Sequence, residues 1–409
     1  MRTVALVLAA ASIATCVVLG VEGCGSTYRP DTTAAPDGSN DGATLVDAGA
    51  DALAPADASA CAADLKSDAK NCGRCGHDCL GGACTAGRCE AFEISATGAP
   101  LRRIIATDSA LFVSSFGGKA GDASGIWRVP KSGGQAEVFV PSLFAATMGI
   151  LDGTLYFVVF DAPADGAGAH GGLYSCPAAA AAPCMPTLIA PSNQSVGLSI
   201  DGGRVFYTDG TSGKGLMVYA PGTPPTTFLS SDPIFGSSID VYVDGQKVFL
   251  TTSAAYALVN QANLLELGPD GGIDIVYDYA HDQALAGRLL GTPTALFFSA
   301  YDFTTTTGGV VHRVPRGGST IDCDFGGGGN RRPLGLYVDD ARVYWVNQGI
   351  GDAPAYTGSS VASCPLAGCC STPDVLWTGG GLPTDMAGDT DAVYFVGSES
   401  GSIWKLAKP

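Results

Sequence analysis

The stretch "RVYWVN", Arg342 to Asn347, decides the fold. Side chains on a strand alternate with a period of two, so Val343, Trp345 and Asn347 share one face and Tyr344 and Val346 the other. An Asp-rich turn, "VDD", runs straight into it, and "RVFYTD" at 204–209, "AVYFVG" at 392–397 and "TLYFVV" at 154–159 repeat the phrase. Aligned together there are seven copies: "LFV" at 111, "LYF" at 155, "VFY" at 205, "VFL" at 248, "LFF" at 296, "VYW" at 343 and "VYF" at 393. Their central aromatics are Phe112, Tyr156, Phe206, Phe249, Phe297, Tyr344 and Tyr394, spaced 44, 50, 43, 48, 47 and 50. Asp108, Asp152, Asp201, Asp244, Asp340 and Asp389 mark the turns before six of them, and "TP" at 292–293 precedes the other. A second strand follows and ends in a Pro-led turn, as in "IWRVPKSGG", "LELGPDGG" and "VHRVPRGG".

A period of 40–50 residues built of short strands predicts a β-propeller, one four-stranded blade per repeat. The seventh copy reaches only a third strand, "SIWKLAKP", while "CEAFEISA" at 89–96 stands before the first blade without partners. Placing Phe92 and Ile94 on the outer strand of blade seven removes an open edge that would template aggregation. The expectation is therefore an all-β, seven-bladed propeller closed by an N-terminal strand, with six or eight blades as alternatives. "RVYWVN" and "RVFYTD" resemble the YWTD strand, and "VPRGG" the hairpin after it, so residues 91–409 resemble the YWTD and TolB-like propeller families. Those families are typically six-bladed, and the resemblance implies a fold, not an activity.

The remaining residues give address and tether. Of 409 residues 57 are Gly, about twice the usual ~7 %, and helix signals are scarce. The net charge of −17 argues against nucleic acid, whose phosphates select basic surfaces. Arg2 followed by the apolar run Val4 to Gly20 reads as an export signal. "VEGCGS" resembles a bacterial lipobox, which implies cleavage before Cys24 and lipidation of its sulfur, although Glu22 departs from the pattern. The alternative is an uncleaved anchor over Thr3 to Val21, near the ~20 residues of a spanning helix. Gly25 after the cysteine implies, by the same resemblance, an outer-membrane lipoprotein of the cell envelope. The domain reading is then a signal peptide over 1–23, a lipidated Cys24 with a disordered Ala/Asp/Pro tether over 24–60, a disulfide-rich module over 61–90, and the propeller over 91–409. "DGSNDG" at 37–42 echoes a calcium loop, but Ala48 stands where the closing Glu belongs, so no cofactor is expected and calcium is the one weak candidate.

The chain has 14 cysteines. Cys61, Cys72, Cys75, Cys79, Cys84 and Cys89 crowd a segment too poor in apolar residues to fold unaided. "CGRC" at 72–75 could be half a zinc site or a redox pair, but export favours three disulfides in one of fifteen connectivities. The run "NCGRCGHDCLGGACTAGRC" resembles Cys-rich modules that follow the tether in bacterial surface lipoproteins. Cys176 with Cys184, and Cys364 with Cys369 or Cys370, are expected to bridge hairpins, leaving Cys323 for the last cysteine.

Two places are candidates for binding. The connections between second and third strands, and between blades, should gather on one face, whose large or ionisable residues include Phe116, Asp161, His170, Tyr256, Tyr301, Phe303 and Tyr356. On the innermost strands one position is apolar in every copy: Ile104, Met148, Leu198, Val241, Leu289, Leu336 and Met386. The residue before it reads Arg103, Thr147, Gly197, Asp240, Arg288, Gly335 and Asp385, and should stand at the channel mouth. Arg103 with Asp385, and Asp240 with Arg288, then form either two inter-blade ion pairs or a polar pocket for a small charged ligand.

Catalytic patterns are thin. There are four His without metal-ligand spacing and no nucleophile elbow. "SIDGGRVF" at 199–206 matches the Asp-box of sialidase propellers, yet it fits an ordinary Asp-Gly hairpin. The expected function is a surface-tethered, non-catalytic propeller binding a protein or glycan through one loop face. A propeller hydrolase or lyase acting on a sugar or lactone is the alternative class, and a purely structural envelope protein a third.

Overall fold

The computed structural model describes residues 63–115, 124–160, 171–192, 196–209, 215–230, 238–252, 262–268, 272–279, 284–302, 309–318, 321–349, 357–368, 372–399 and 401–409. The expected signal and tether, with Cys24 and Cys61, lie outside them. Seven four-stranded antiparallel sheets form the ring, six of them from consecutive strands. The seventh is discontinuous. Its strands Pro383–Gly388, Ala392–Gly397 and Ser402–Ala407 are completed by Phe92–Ala96, with Phe92 opposite Lys405 and Ala96 opposite Ser402. The orphan N-terminal strand thus closes the ring, and Ile94 is buried there with Leu101, Trp127 and Ile403.

All seven repeat aromatics are buried, Phe206 completely. So are the seven apolar positions of the innermost strands, from Ile104 to Met386. Each blade presses both faces against a neighbour, which is why the repeat strands bury both sides instead of one. In "RVYWVN" the Trp345 indole is fully buried and donates to Asn330 Oδ1 at 2.9 Å, so its one polar atom is satisfied inside the core.

The turns obey the sequence closely. First-to-second connections are two or three residues long. In "SIDGGRVF" Gly202 and Gly203 occupy the two central positions with φ of 54° and 74°, the hairpin geometry in which only glycine is unstrained. The Asp-box resemblance is accounted for by that turn. The third-to-fourth connections are longer and run five to nine residues. One carries the disulfide Cys176–Cys184, with Cys184 in the loop and not on a strand. Cys323 and Cys364 are also disulfide-bonded, whereas Cys369 and Cys370 lie outside the described residues.

On the tight-turn face a basic residue after the third strand reaches back to the preceding blade. Lys131 of blade one meets Asp389 of blade seven at 2.7 Å beneath Tyr394, whose hydroxyl donates to the same carboxylate. Arg316 of blade five meets Asp244 of blade four at 2.9 Å and lies 4.9 Å over Tyr242. Lys408 of blade seven meets Asp339 of blade six at 2.7 Å, 4.8 Å over Tyr337. Asp339 fills this role in place of the expected Asp340, because its other oxygen accepts the Ala341 and Arg342 N–H groups and fixes the turn. Such cation–aromatic staples contribute about 0.5–2 kcal/mol each, depending on desolvation.

The Cys-rich module is seated on blade seven. Cys72–Cys84 and Cys79–Cys89 are bridged, and the latter strand pair is the two-stranded sheet Cys84–Thr85 with Arg88–Cys89. The four sulfur residues bury against Ala407, and the His77 ring lies 2.7 Å from the Lys408 carbonyl oxygen. Cys72, Cys79 and Cys89 offer sulfurs within 4.8 Å of one another. Two disulfides consume them, so they are not thiolate ligands for zinc.

Candidate functional site

The mouth of the channel is built from the seven innermost strands at the end facing the longer connections. Its chemistry begins with a repeated device. Asp240 of blade four accepts the backbone N–H of Leu289 in blade five at 3.1 Å, and Asp385 of blade seven accepts that of Ile104 in blade one at 3.1 Å. Both carboxylates are buried, at 1 % and 0 % exposure. In each case the residue before the recipient is an arginine, Arg288 or Arg103.

The two arginines behave differently. Arg288 Nη1 lies 3.2 Å from Asp240 Oδ2 and closes the inter-blade ion pair. Asp240, with Asp385 further off, offsets the desolvation of Arg288 and favours its charged form. Arg103 does not pair with Asp385. Its Nε donates to the Ala146 carbonyl of blade two at 3.3 Å, and Asp385 Oδ1 is left buried without a hydrogen-bond partner. The physical reason is the direction of the side chain: it follows the ring forward to blade two, away from the carboxylate behind it. Desolvation and the nearby Arg288 disfavour its charged form and outweigh the pull of Asp385 and Asp240.

Neighbouring groups enlarge the cluster. Arg102 stacks 5.6 Å over the Phe144 ring, and burial together with Arg103 pulls its guanidinium down to about 10. Tyr301, at the end of the second strand of blade five, is buried, and that burial pushes its phenol up to about 12 against the pull of Arg332 and Arg102. Tyr301 of blade five thus lies within electrostatic range of Arg332, just before blade six, and of Arg102 of blade one. Arg332 keeps a buried Nε without a partner. Gly335 and Gly197 fill the corresponding positions of blades six and three because a Cβ would strike Asp385 Cα at 2.4 Å and a Val241 methyl at 2.9 Å.

Of the loop-face candidates only Tyr301 is described, and it belongs to this mouth. Phe116, Asp161, His170, Tyr256, Phe303 and Tyr356 lie outside the described residues. Sequence reasoning missed Arg102 and Arg332, which stand outside the aligned column. A bulge between Leu101 and Arg103 brings Arg102 into play, and no period-two alignment reveals it.

No known family profile matches the chain, and no curated protein matches it in sequence. Solved structures do. Virginiamycin B lyase from Staphylococcus aureus is similar with a TM-score of 0.56 at 11 % identity, covering 78 % of this chain and 99 % of its own. The WD40 β-propeller domain of Doa1 has a TM-score of 0.51 at 11 % identity, covering 78 % and 96 %. The extracellular domain of the one-component system BT4673 from B. thetaiotaomicron has a TM-score of 0.50 at 10 % identity, covering 77 % and 40 %. At such identities the likeness defines the class alone: a seven-bladed β-propeller, here carrying a disulfide-stapled module on its closing blade.

Proposed function

We propose that this chain is an exported, lipid-anchored propeller of the outer membrane that binds a protein or glycan through its loop face and performs no chemistry on it. The observation that carries this reading is how the mouth carboxylates are used. Asp240 and Asp385 each accept a backbone N–H of the next blade and are buried at 1 % and 0 % exposure, out of a ligand's reach, so neither is placed as a general base. The innermost strands contain no histidine. The Ser114 hydroxyl is fully buried and has no base beside it. Binding needs no cofactor, and the acidic chain has no footing for nucleic acid.

A glycan array probed with the chain from residue 63 onward, beside the same chain with Tyr301→Ala, tests the reading. Recognition of a defined structure by the first and not the second is expected. Likeness to virginiamycin B lyase favours one rival, since a variant of that enzyme with a His replaced by Ala is described as catalytically inactive and was solved with quinupristin. Incubation with quinupristin and mass spectrometry should show no conversion, and a converted product would put the lyase reading first. Replacing Cys24 by Ala should free the protein from the membrane fraction.

A further inference from the structure

The asymmetry between the two arginine–aspartate junctions points to the kind of ligand. Beside the closed pair of Asp240 and Arg288, Arg102 and Arg103 adjoin each other and both feel Asp385, and Arg103 feels Asp240 as well. Among the described residues Asp209 is a further buried carboxylate; it belongs to blade three, and its charge is felt by Tyr207 of the same blade. Desolvated arginines side by side are costly, and they are kept here in a chain whose net charge is −17. Folding alone does not call for this arrangement, because the equivalent junction satisfies the same backbone N–H with one arginine and closes the pair.

Arg103 is the group with capacity to spare. It spends one donor, Nε, on a carbonyl 3.3 Å away, and among the described residues it makes no ion pair within 4.0 Å. Its side chain is half-buried, so its fork has neither a protein acceptor nor full hydration. A guanidinium fork so placed matches the planar oxygens of a carboxylate or the edge of a tetrahedral anion. Asp385 lies fully buried behind it and limits the excess positive charge.

We propose that the channel mouth at blades six, seven and one binds an oxyanion, the carboxylate, sulfate or phosphate group of a small ligand, with Arg103 as the principal contact and Arg102 and Arg332 beside it. This deepens the loop-face reading above and rests on it. Calorimetric titration with inorganic phosphate, inorganic sulfate, glucuronate and glucose provides the test. Phosphate, sulfate or glucuronate should bind and glucose should not; glucuronate alone would assign an organic acid, and phosphate or sulfate a free tetrahedral anion. Arg103→Gln should weaken binding at least about tenfold, since hydrogen bonds to charged groups are the stronger kind. Arg128→Gln, on the turn face, should leave it unchanged, and Asp385→Asn should tighten it. Added salt should weaken it. No heat with any of the three anions, equal binding of glucose, or an unaltered affinity in Arg103→Gln would overturn the proposal. A positive glycan array together with silent anions would overturn only the anion site, whereas a silent array with bound anions would sink the macromolecular reading and leave the site standing.

Discussion

The junction between blades four and five and the junction between blades seven and one carry the same kinds of residue, although Tyr242 stands on a first strand and Tyr394 on a second. On the turn face each has a basic residue, an aspartate and a tyrosine: Arg316, Asp244 and Tyr242 at one, Lys131, Asp389 and Tyr394 at the other. At the mouth each has an aspartate that accepts the next blade's N–H, followed on that blade by an arginine. One mouth pair is closed at 3.2 Å, and the other is open with an unpartnered carboxylate oxygen. Structure at the turn face is therefore repeated, while the mouth is free to diverge. A ring needs every staple but only one mouth, and the divergence lies where a ligand can reach it.

The two junctions also differ in how their blades are made, and the largest effect should come from there. Blade seven alone is assembled from distant chain segments. A chain beginning at Leu101 loses the buried Ile94, worth ~1.5–3 kcal/mol when fully buried, and the partly buried Phe92, worth less, against a typical net stability of ~5–15 kcal/mol. It also bares the edge of Ser402–Ala407. Such a chain should aggregate or melt far earlier than one beginning at Glu90, which lacks only the module. Equal melting of the two would break the closure.

Neutralising the two mouth aspartates should separate the junctions further. Asp240→Asn removes the charge opposite Arg288, whose side chain is only 15 % exposed. A cost of about 2–4 kcal/mol is expected, a little below that of a fully buried pair. Asp385→Asn keeps an acceptor for the Ile104 N–H and should cost about 1 kcal/mol or less. Urea denaturation of both variants measures the difference. Equal costs would mean that the seven–one pair is closed in solution.

The smallest effect concerns acid stability at the seven–one staple. Burial raises the Asp389 carboxyl, but Lys131, the Ala392 and Asp391 N–H groups and the Tyr394 hydroxyl outweigh it and hold it at about 2, below the ordinary 3.8. A depressed folded value means that the stabilisation is complete above about pH 4 and is lost as the pH falls through about 2. Asp389→Asn should therefore be less stable than the parent at neutral pH, and its melting temperature should fall less between pH 4 and 2. Parallel curves would show that the staple contributes nothing.

What the sequence by itself determined is the ring. Short strands with period-two alternation, seven aromatics at 43 to 50 residues and Asp-Gly turns leave one architecture, because those signals are local and each repeat carries its own copy. Even the closure was legible, as a strand lacking partners at one end and a blade lacking a strand at the other. Pairing in the module was not, since fifteen connectivities share one spacing and only chain packing selects Cys72 with Cys84 and Cys79 with Cys89. The site lies between these extremes. Alignment placed Arg103, Asp240, Arg288 and Asp385 in one column, but whether each acid meets its arginine depends on side-chain direction over a few ångströms. Arg102 and Arg332 reach the mouth through a bulge and a loop, and tertiary structure alone decides both, because a one-residue shift in register changes the face on which a side chain falls.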